Sequence, residues 1–493
     1  MPRSHPIPTP GPARPAALAG PRRRAPALAL LAAACLAGGC ATLQPEAALQ
    51  NVQAPLASHL PADTALNWPR SPAEADLSKQ RVAELLAQPL DADAAVQLAL
   101  LNNPGLQARF EALGIAEAER VQASRLPNPG LSLGRLRQGD ETELERSLHL
   151  SLGSLLTWPQ RRALGEQQAR QVQAEVAADV VALVADTRRA WVQAVAASEA
   201  LHYRRQVLEA AQAGAELARR MAQVGNFSAL QQAREQAFEA EAALDLARAT
   251  QAEGAAREGL MRRLGLWGDD TARLRLPERL PALPTAPQAL PDVEQRAIAG
   301  RLDVRAALAA VEQAGVDLGR QRDGRLLDTL ELGLMHNRSN EAPPQRGLEL
   351  SLALPLFDAG EARVARATHL QRQRLQQAAD VAIRARSEAR EAYGGYRSAW
   401  DIARHHRDQL VPLQARISEQ NLLRYNGMFI GVFELLADAR SQIGGVAAAM
   451  AALRDFWLAQ IALEQALLGP ATLPAAPAAG PSNNASAAPG AGH

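Results

Sequence analysis

The residues best suited to chemistry lie near the end of the chain. Glu434 and Asp438 stand four apart on a predicted helix, so both carboxylates face one side. Tyr425 precedes them and Arg440 follows. Such a pair can gather cations or can simply solvate a helix face. The histidines add nothing catalytic. His405 and His406 are adjacent, about 100° apart on a helix, and cannot chelate one ion in cis. His149 and His336 stand singly on predicted strands. No phosphate loop, Ser-His-Asp order or metal-ligand spacing occurs, so no enzyme activity, cofactor or metal site is expected.

The elements that must position these residues are mostly helical. Alanine, leucine, glutamine, arginine and glutamate dominate, the composition of long helices and coiled coils. The formal net charge is +1, which gives no footprint for nucleic acid. No stretch after residue 40 reads as apolar for about 18 residues, so no transmembrane helix is expected there. The N-terminal part reads as a targeting segment. Arg22, Arg23 and Arg24 precede a short apolar run, "APALALLAAACLAGG", that ends in small residues before Cys40. This resembles a bacterial lipoprotein signal, with residues 1–39 removed and Cys40 acylated. Ala41 after that cysteine favours the outer membrane in such lipoproteins. The only other cysteine is Cys35, so the mature chain has no thiol pair for a disulfide or a thiolate metal site.

The chain also resembles itself across roughly two hundred residues. "LSLG" at 131–134 matches "LELG" at 330–333, and "RSLHLSL" at 146–152 matches "RGLELSL" at 346–352. One structural unit is therefore used twice. The expected organisation is a lipid-anchored segment at 40–87, a first repeat at 88–277, a linker at 278–290, a second repeat at 291–468 and a disordered tail at 469–493. Each repeat reads as a helix (about 91–124 and 291–323), two strands joined by a polar loop (137–145 and 337–346), then a very long helix, a glycine break and another long helix. Residues 160–224 would span roughly 100 Å as a helix. Its counterpart, 360–427, contains Pro412, which should kink it, and Gly394-Gly395 is a second weak point.

The strands carry the sharper signal. Leu348, Leu350, Leu352 and Leu354 alternate with Glu349, Ser351 and Ala353 before Pro355. A globular core would mix valine, isoleucine and aromatics on that face. Four strands cannot close a barrel, and an open sheet edge is forbidden in a bilayer. Copies from several chains must combine, and three would give twelve strands. Leucine would then face lipid, with Ser132, Ser151, Glu349 and Ser351 toward a wet lumen. The plain alternative is a lipid-anchored periplasmic coiled-coil scaffold without a pore.

Four segments in order, "ALLNNPGLQA" (99–108), "LPALPTAPQALPDVEQRAIAGRLDVRAA" (280–307), "LALPLFDAGEARVARA" (352–367) and "LLRYNGMFIGVFELLADARSQI" (422–443), resemble recurrent patterns of the TolC-like outer membrane efflux proteins. The resemblance covers roughly 88–468. It implies a mainly α fold with a small β part: long antiparallel coiled-coil helices forming a periplasmic α-barrel, and four strands per chain in a trimeric 12-stranded outer-membrane β-barrel. It implies a homotrimer that works with a periplasmic adaptor and an inner-membrane pump, exporting small solutes such as drugs, copper or other heavy metals. Peptide secretion is the variant that the sequence does not separate from efflux. In such proteins the periplasmic tips dock the adaptor; the matching residues are Val224, Gly225 and Asn226, and Asn426, Gly427 and Met428. Tyr425, Glu434, Asp438 and Arg440 match the constricted entrance, where threefold repetition of the carboxylates would make a ring that favours cations. Met428-Phe429-Ile430 replaces the usual polar residues of that turn, and no bridging arginine lies between Gly427 and Glu434.

Overall fold

The computed structural model describes residues 43–57, 59–62, 64–323, 330–352, 357 and 360–471. The signal segment, Cys40, Pro355 and residues 472–493 of the tail lie outside the described residues.

Helices α1 (Pro45–Gln53), α2 (Pro72–Leu85), α3 (Ala92–Asn102) and α4 (Pro104–Ser124) lead into strands β1 (Gly130–Gln138) and β2 (Glu141–Ser151). A short helical turn, Leu152–Leu156, precedes α5 (Trp158–Gln223) and α6 (Ala229–Leu264). The second repeat follows as α7 (Val293–Gly300), α8 (Leu302–Asp323), β3 (Glu331–Ser339), β4 (Gln345–Ser351), α9 (Glu361–His405), a π-helical turn (His406–Leu410), α10 (Val411–Asn426) and α11 (Val432–Leu468).

Several boundaries differ from the sequence reading, each for a local reason. The helix expected over 91–124 breaks at Asn103-Pro104. Proline cannot follow a helical residue without a clash, and the Asn103 side chain accepts from the Leu106 N–H at 3.0 Å, starting a new helix. The helix expected over 291–323 breaks at Arg301, which is 1% exposed. There its guanidinium meets Asp303 at 2.8 Å and Glu388 at 2.7 Å. At Pro412 the long segment is interrupted by a π turn, His406–Leu410, which widens the backbone where the proline ring would strike a carbonyl. Gly394 and Gly395 leave α9 unbroken. Helix α11 corrects a further expectation. It is long and apolar enough to span a bilayer by length and composition. The cause is its run of Ala and Leu between Arg440 and Glu464, where Arg454 and Asp455 are the only charges; its C-terminal half is core, burying Phe456, Ile461 and Leu463.

That core lies midway along the long helices. Trp191 of α5 is 3% exposed and donates its indole N–H to the Leu90 carbonyl at 2.8 Å. The proline-rich connection at 278–290 packs as a strap, not a free linker. Leu280, Leu283 and Leu290 are buried. Backbone groups along it are met by aromatic side chains: Trp400 donates to the Pro284 carbonyl, Trp457 to the Pro281 carbonyl, and the Tyr396 hydroxyl accepts from the Gln288 N–H. A buried backbone thus keeps its hydrogen bonds without forming regular structure.

Candidate functional site

Two regions hold the residues singled out by sequence: the strand sheet and the helix tips. The strands form one antiparallel sheet in the order β1-β2-β3-β4. The two hairpins are joined through β2 and β3, with Leu148 opposite Leu334. The loops expected at 137–145 and 337–346 are shorter than their polar composition suggested. Gln138 pairs with Glu141, leaving Gly139 and Asp140 as the turn, and Gly139 takes φ +61°. Asn337 pairs with Gln345 across the second loop. Polar residues fill these strand ends because both faces are open to solvent in one chain.

The register sorts the side chains sharply. Opposed residues share a face. One row reads Leu131, Leu148, Leu334, Leu348, and the next toward the helices reads Leu150, Leu332, Leu350. Toward the hairpin turns the same face mixes Leu133 and Leu144 with Arg135, Arg137, Arg146, Arg338 and Arg346. The other face carries Ser132, Ser151, Ser351 and Glu349, as alternation required, together with Glu141, Glu143, Glu145 and Glu331. No strand residue breaks this sorting of arginine from glutamate. Leu131, Leu348 and Leu350 are more than 60% exposed, so the leucine face is unpartnered among the described residues.

At the first tip, α5 ends at Gln223 and Gly225 takes φ +79°. The Asn226 N–H donates to the Met221 carbonyl at 2.9 Å and the Gly225 N–H to the Ala222 carbonyl at 3.1 Å, a Schellman closure. The second tip repeats it one residue later than the glycine spacing implied. The Phe429 N–H donates to the Arg424 carbonyl at 2.8 Å and the Met428 N–H to the Tyr425 carbonyl at 2.9 Å. The left-handed residue there is Met428, at φ 60°; Gly427 has φ −81°. Gly427 instead sits against a side chain: a Cβ there would lie 2.8 Å from the exposed Phe429 ring. Val224, Met428 and Phe429 are strongly exposed, at 70, 93 and 80%.

The four entrance residues do not converge in one chain. Glu434 is exposed and Tyr425 half-buried. Asp438 turns to α10, accepting from the Ser418 hydroxyl at 2.6 Å. Arg440 turns the other way, to α6, with Nη2 2.5 Å from Glu235 and its guanidinium 4.7 Å over the Phe238 ring. The Glu235 side chain is 2% exposed. The N–H vectors do not align with its carboxylate, so the contact is a close charge pair and not a formed hydrogen bond. Glu235, Phe238 and Ser418 carried no sequence signal, since a single charged residue on an amphipathic helix looks solvated. Among the described residues no group of three His, Cys, Asp or Glu side chains is placed to hold a metal.

Long helices that return at two tips, with a four-stranded antiparallel sheet, make up a fold also found in solved outer-membrane channels. Solved structures show the same fold. The outer membrane protein VceC of Vibrio cholerae is 14% identical, with a TM-score of 0.64 over 81% of this chain and 99% of its own. CusC, described in connection with transmembrane channel formation, is 16% identical, with a TM-score of 0.63 over 77% and 92%. The CmeC outer membrane channel of Campylobacter jejuni is 15% identical, with a TM-score of 0.60 over 84% and 91%. No protein-family model and no curated protein matches the sequence.

Proposed function

We propose that the protein is the outer-membrane channel of a tripartite efflux system: a homotrimeric, non-enzymatic exit duct coupled to a periplasmic adaptor and an inner-membrane pump. The observation that carries this reading is the four-stranded sheet. Among the described residues its leucine face has nothing to pack against, and β1 and β4 leave both edges open. In water such edges invite aggregation, and in lipid they must be closed. Three copies paired β4 to β1 give twelve strands with leucine outward and five glutamates per chain inward. That lumen favours cationic solutes, metal ions among them, over anions. The exposed Val224, Met428 and Phe429 form the adaptor-facing surface of the tips. Cys40 is the acylated residue, and Cys40→Ser should abolish incorporation of labelled lipid.

The test substitutes the two sheet faces in the full chain. Leu350→Arg places a guanidinium among the leucine rows and should cost about 2–4 kcal/mol, depleting heat-modifiable trimer in detergent. Ser351→Arg points to the opposite face and should leave trimer while lowering cation conductance in planar bilayers. Equal tolerance at both positions, with no conductance from the unaltered chain, would favour a pore-free scaffold.

A further inference from the structure

Toward the hairpin turns the leucine face becomes rich in arginine. Moving from the row of Leu131, Leu148, Leu334 and Leu348, the next row reads Leu133, Arg146, His336 and Arg346, the one after it Arg135, Leu144 and Arg338, and then Arg137 stands opposite Thr142. At about 3.4 Å per residue, these rows occupy the stretch roughly 7 to 20 Å beyond the last full leucine row. All five arginines are exposed. Elsewhere arginines are mostly held by carboxylates, as Arg109 by Asp179, Arg188 by Glu464 and Arg301 by Asp303. Among the described residues none of these five is in an ion pair, and the one hydrogen bond they make is from Arg137 to the Gly139 carbonyl.

The lack of pairing is not for want of acids. Glu141, Glu143 and Glu145 lie on the same hairpin, but the pleat sends them to the other face. A solvated sheet face would interleave the two signs, since opposite charges placed across strands stabilise the pairing. Here the chain keeps the signs apart and lets the basic one continue the lipid-facing side.

We infer that the five arginines form a belt that binds phosphate-bearing lipid head groups of the membrane leaflet at the hairpin end of the barrel. This rests on the barrel reading above. Three features select that occupant. The belt is continuous with a leucine surface, so whatever covers it has apolar chains on one side and anionic groups on the other. Its guanidinium groups offer paired N–H donors matched to phosphate oxygens. Its long stems can lie along apolar surface while the heads reach the interface. Threefold repetition sets fifteen guanidinium groups, five from each chain, in a band three rows deep around the barrel.

The test compares spin-labelled phosphatidylglycerol with spin-labelled phosphatidylcholine on full-length trimers in phosphatidylcholine vesicles. The unaltered protein should hold phosphatidylglycerol at least about threefold more strongly, with the preference shrinking as salt rises. Arg135→Gln, Arg146→Gln, Arg338→Gln and Arg346→Gln together should bring the ratio close to one while trimer and conductance persist. Glu141→Gln, Glu143→Gln and Glu145→Gln together should leave the ratio unchanged. If the fourfold variant gives no trimer, Arg338→Gln and Arg146→Gln are read singly, each expected to lower the ratio. A conducting trimer without the preference overturns the belt alone, as does a preference that survives the arginine changes or falls equally with the glutamate changes. Loss of the preference to inorganic phosphate at constant ionic strength would make the site one for free anions and overturns the lipid assignment. A chain that forms neither trimer nor channel overturns the barrel, and the belt with it.

Discussion

The two tips share a backbone and differ in almost every side chain that serves it. Each has a residue in the bridge region (Val224, Gly427), then one in the left-handed region (Gly225, Met428), and the next helix is capped three residues on (Ser228, Gly431). The first tip uses the residue types that such a turn prefers. Glycine takes the left-handed position without strain. Ser228 and Gln231 close a reciprocal capping box at 3.2 and 2.9 Å. The second puts methionine at the left-handed position, where a side chain costs about 1–2 kcal/mol, and glycine with no side-chain cap before α11. What the second gains is a pair of large exposed apolar groups, Met428 and Phe429. One turn is built for its own stability, and the other gives up some of that stability to present a surface.

The largest effect that would sharpen this contrast lies beside the tips, where α11 meets α6. Arg440→Ala would leave the buried Glu235 carboxylate without its cation, and a broken buried pair costs about 3–5 kcal/mol. Because Arg440 is itself partly exposed, about 3 kcal/mol is expected in urea unfolding. Pairing it with Glu235→Gln should restore most of that. A loss no greater than for the exposed Arg424→Ala would mean that the Arg440–Glu235 contact contributes nothing to holding α11 against α6.

Next in size is the pair Gly225→Ala and Gly427→Ala. The first forces a Cβ into the left-handed region and should lower stability by about 1–2 kcal/mol. The second meets only the Phe429 ring, which is exposed and free to swing, so its cost should stay below about 0.5 kcal/mol. Thermal unfolding of the two variants decides it; the reverse order would mean that the left-handed residue of the second tip is misassigned. The smallest change is Met428→Gly, expected to raise stability by roughly 0.5–1 kcal/mol once the entropy of a glycine in the unfolded chain is subtracted. The same variant should bind the adaptor more weakly in a pull-down of purified components. Unaltered binding would leave Met428 outside that surface.

Much of this was readable from residue order. The strands announced themselves because period-two leucine is rare, and the long helices because proline is absent from 160 to 276. The tips were found by glycine, which placed the first turn correctly and the second one residue early. Glycine signals either a left-handed backbone or a close approach, and sequence does not say which. The pairing of β2 with β3 was invisible, since it joins residues nearly two hundred apart with no local mark. Arg440 was assigned to the entrance with Asp438, but two residues turn a helix about 200°. Its partner Glu235 sits on a helix of the other repeat. The sorting of arginine from glutamate was present in the alternation of 135–146 and emerges only when strands are set in register.

One dimension of the fold has a mechanical meaning. Helix α5 runs 66 residues without a break, and it is gripped near its middle, where Trp191 is hydrogen-bonded to Leu90. From Trp191 to the tip at Gln223 is about 48 Å of helix. Beyond the grip it still buries Val195, Leu201 and Val207, but over the last stretch before the tip the buried residues are all small: Ala211, Gly214, Ala215 and Ala218. That last stretch is a lever held by the larger side chains nearer the core. A rotation of about 5° at the tryptophan would carry the tip through about 4 Å along that length. That is comparable to the width of a side chain, so the tip moves by a whole contact through a change too slight to disturb the packing at the core.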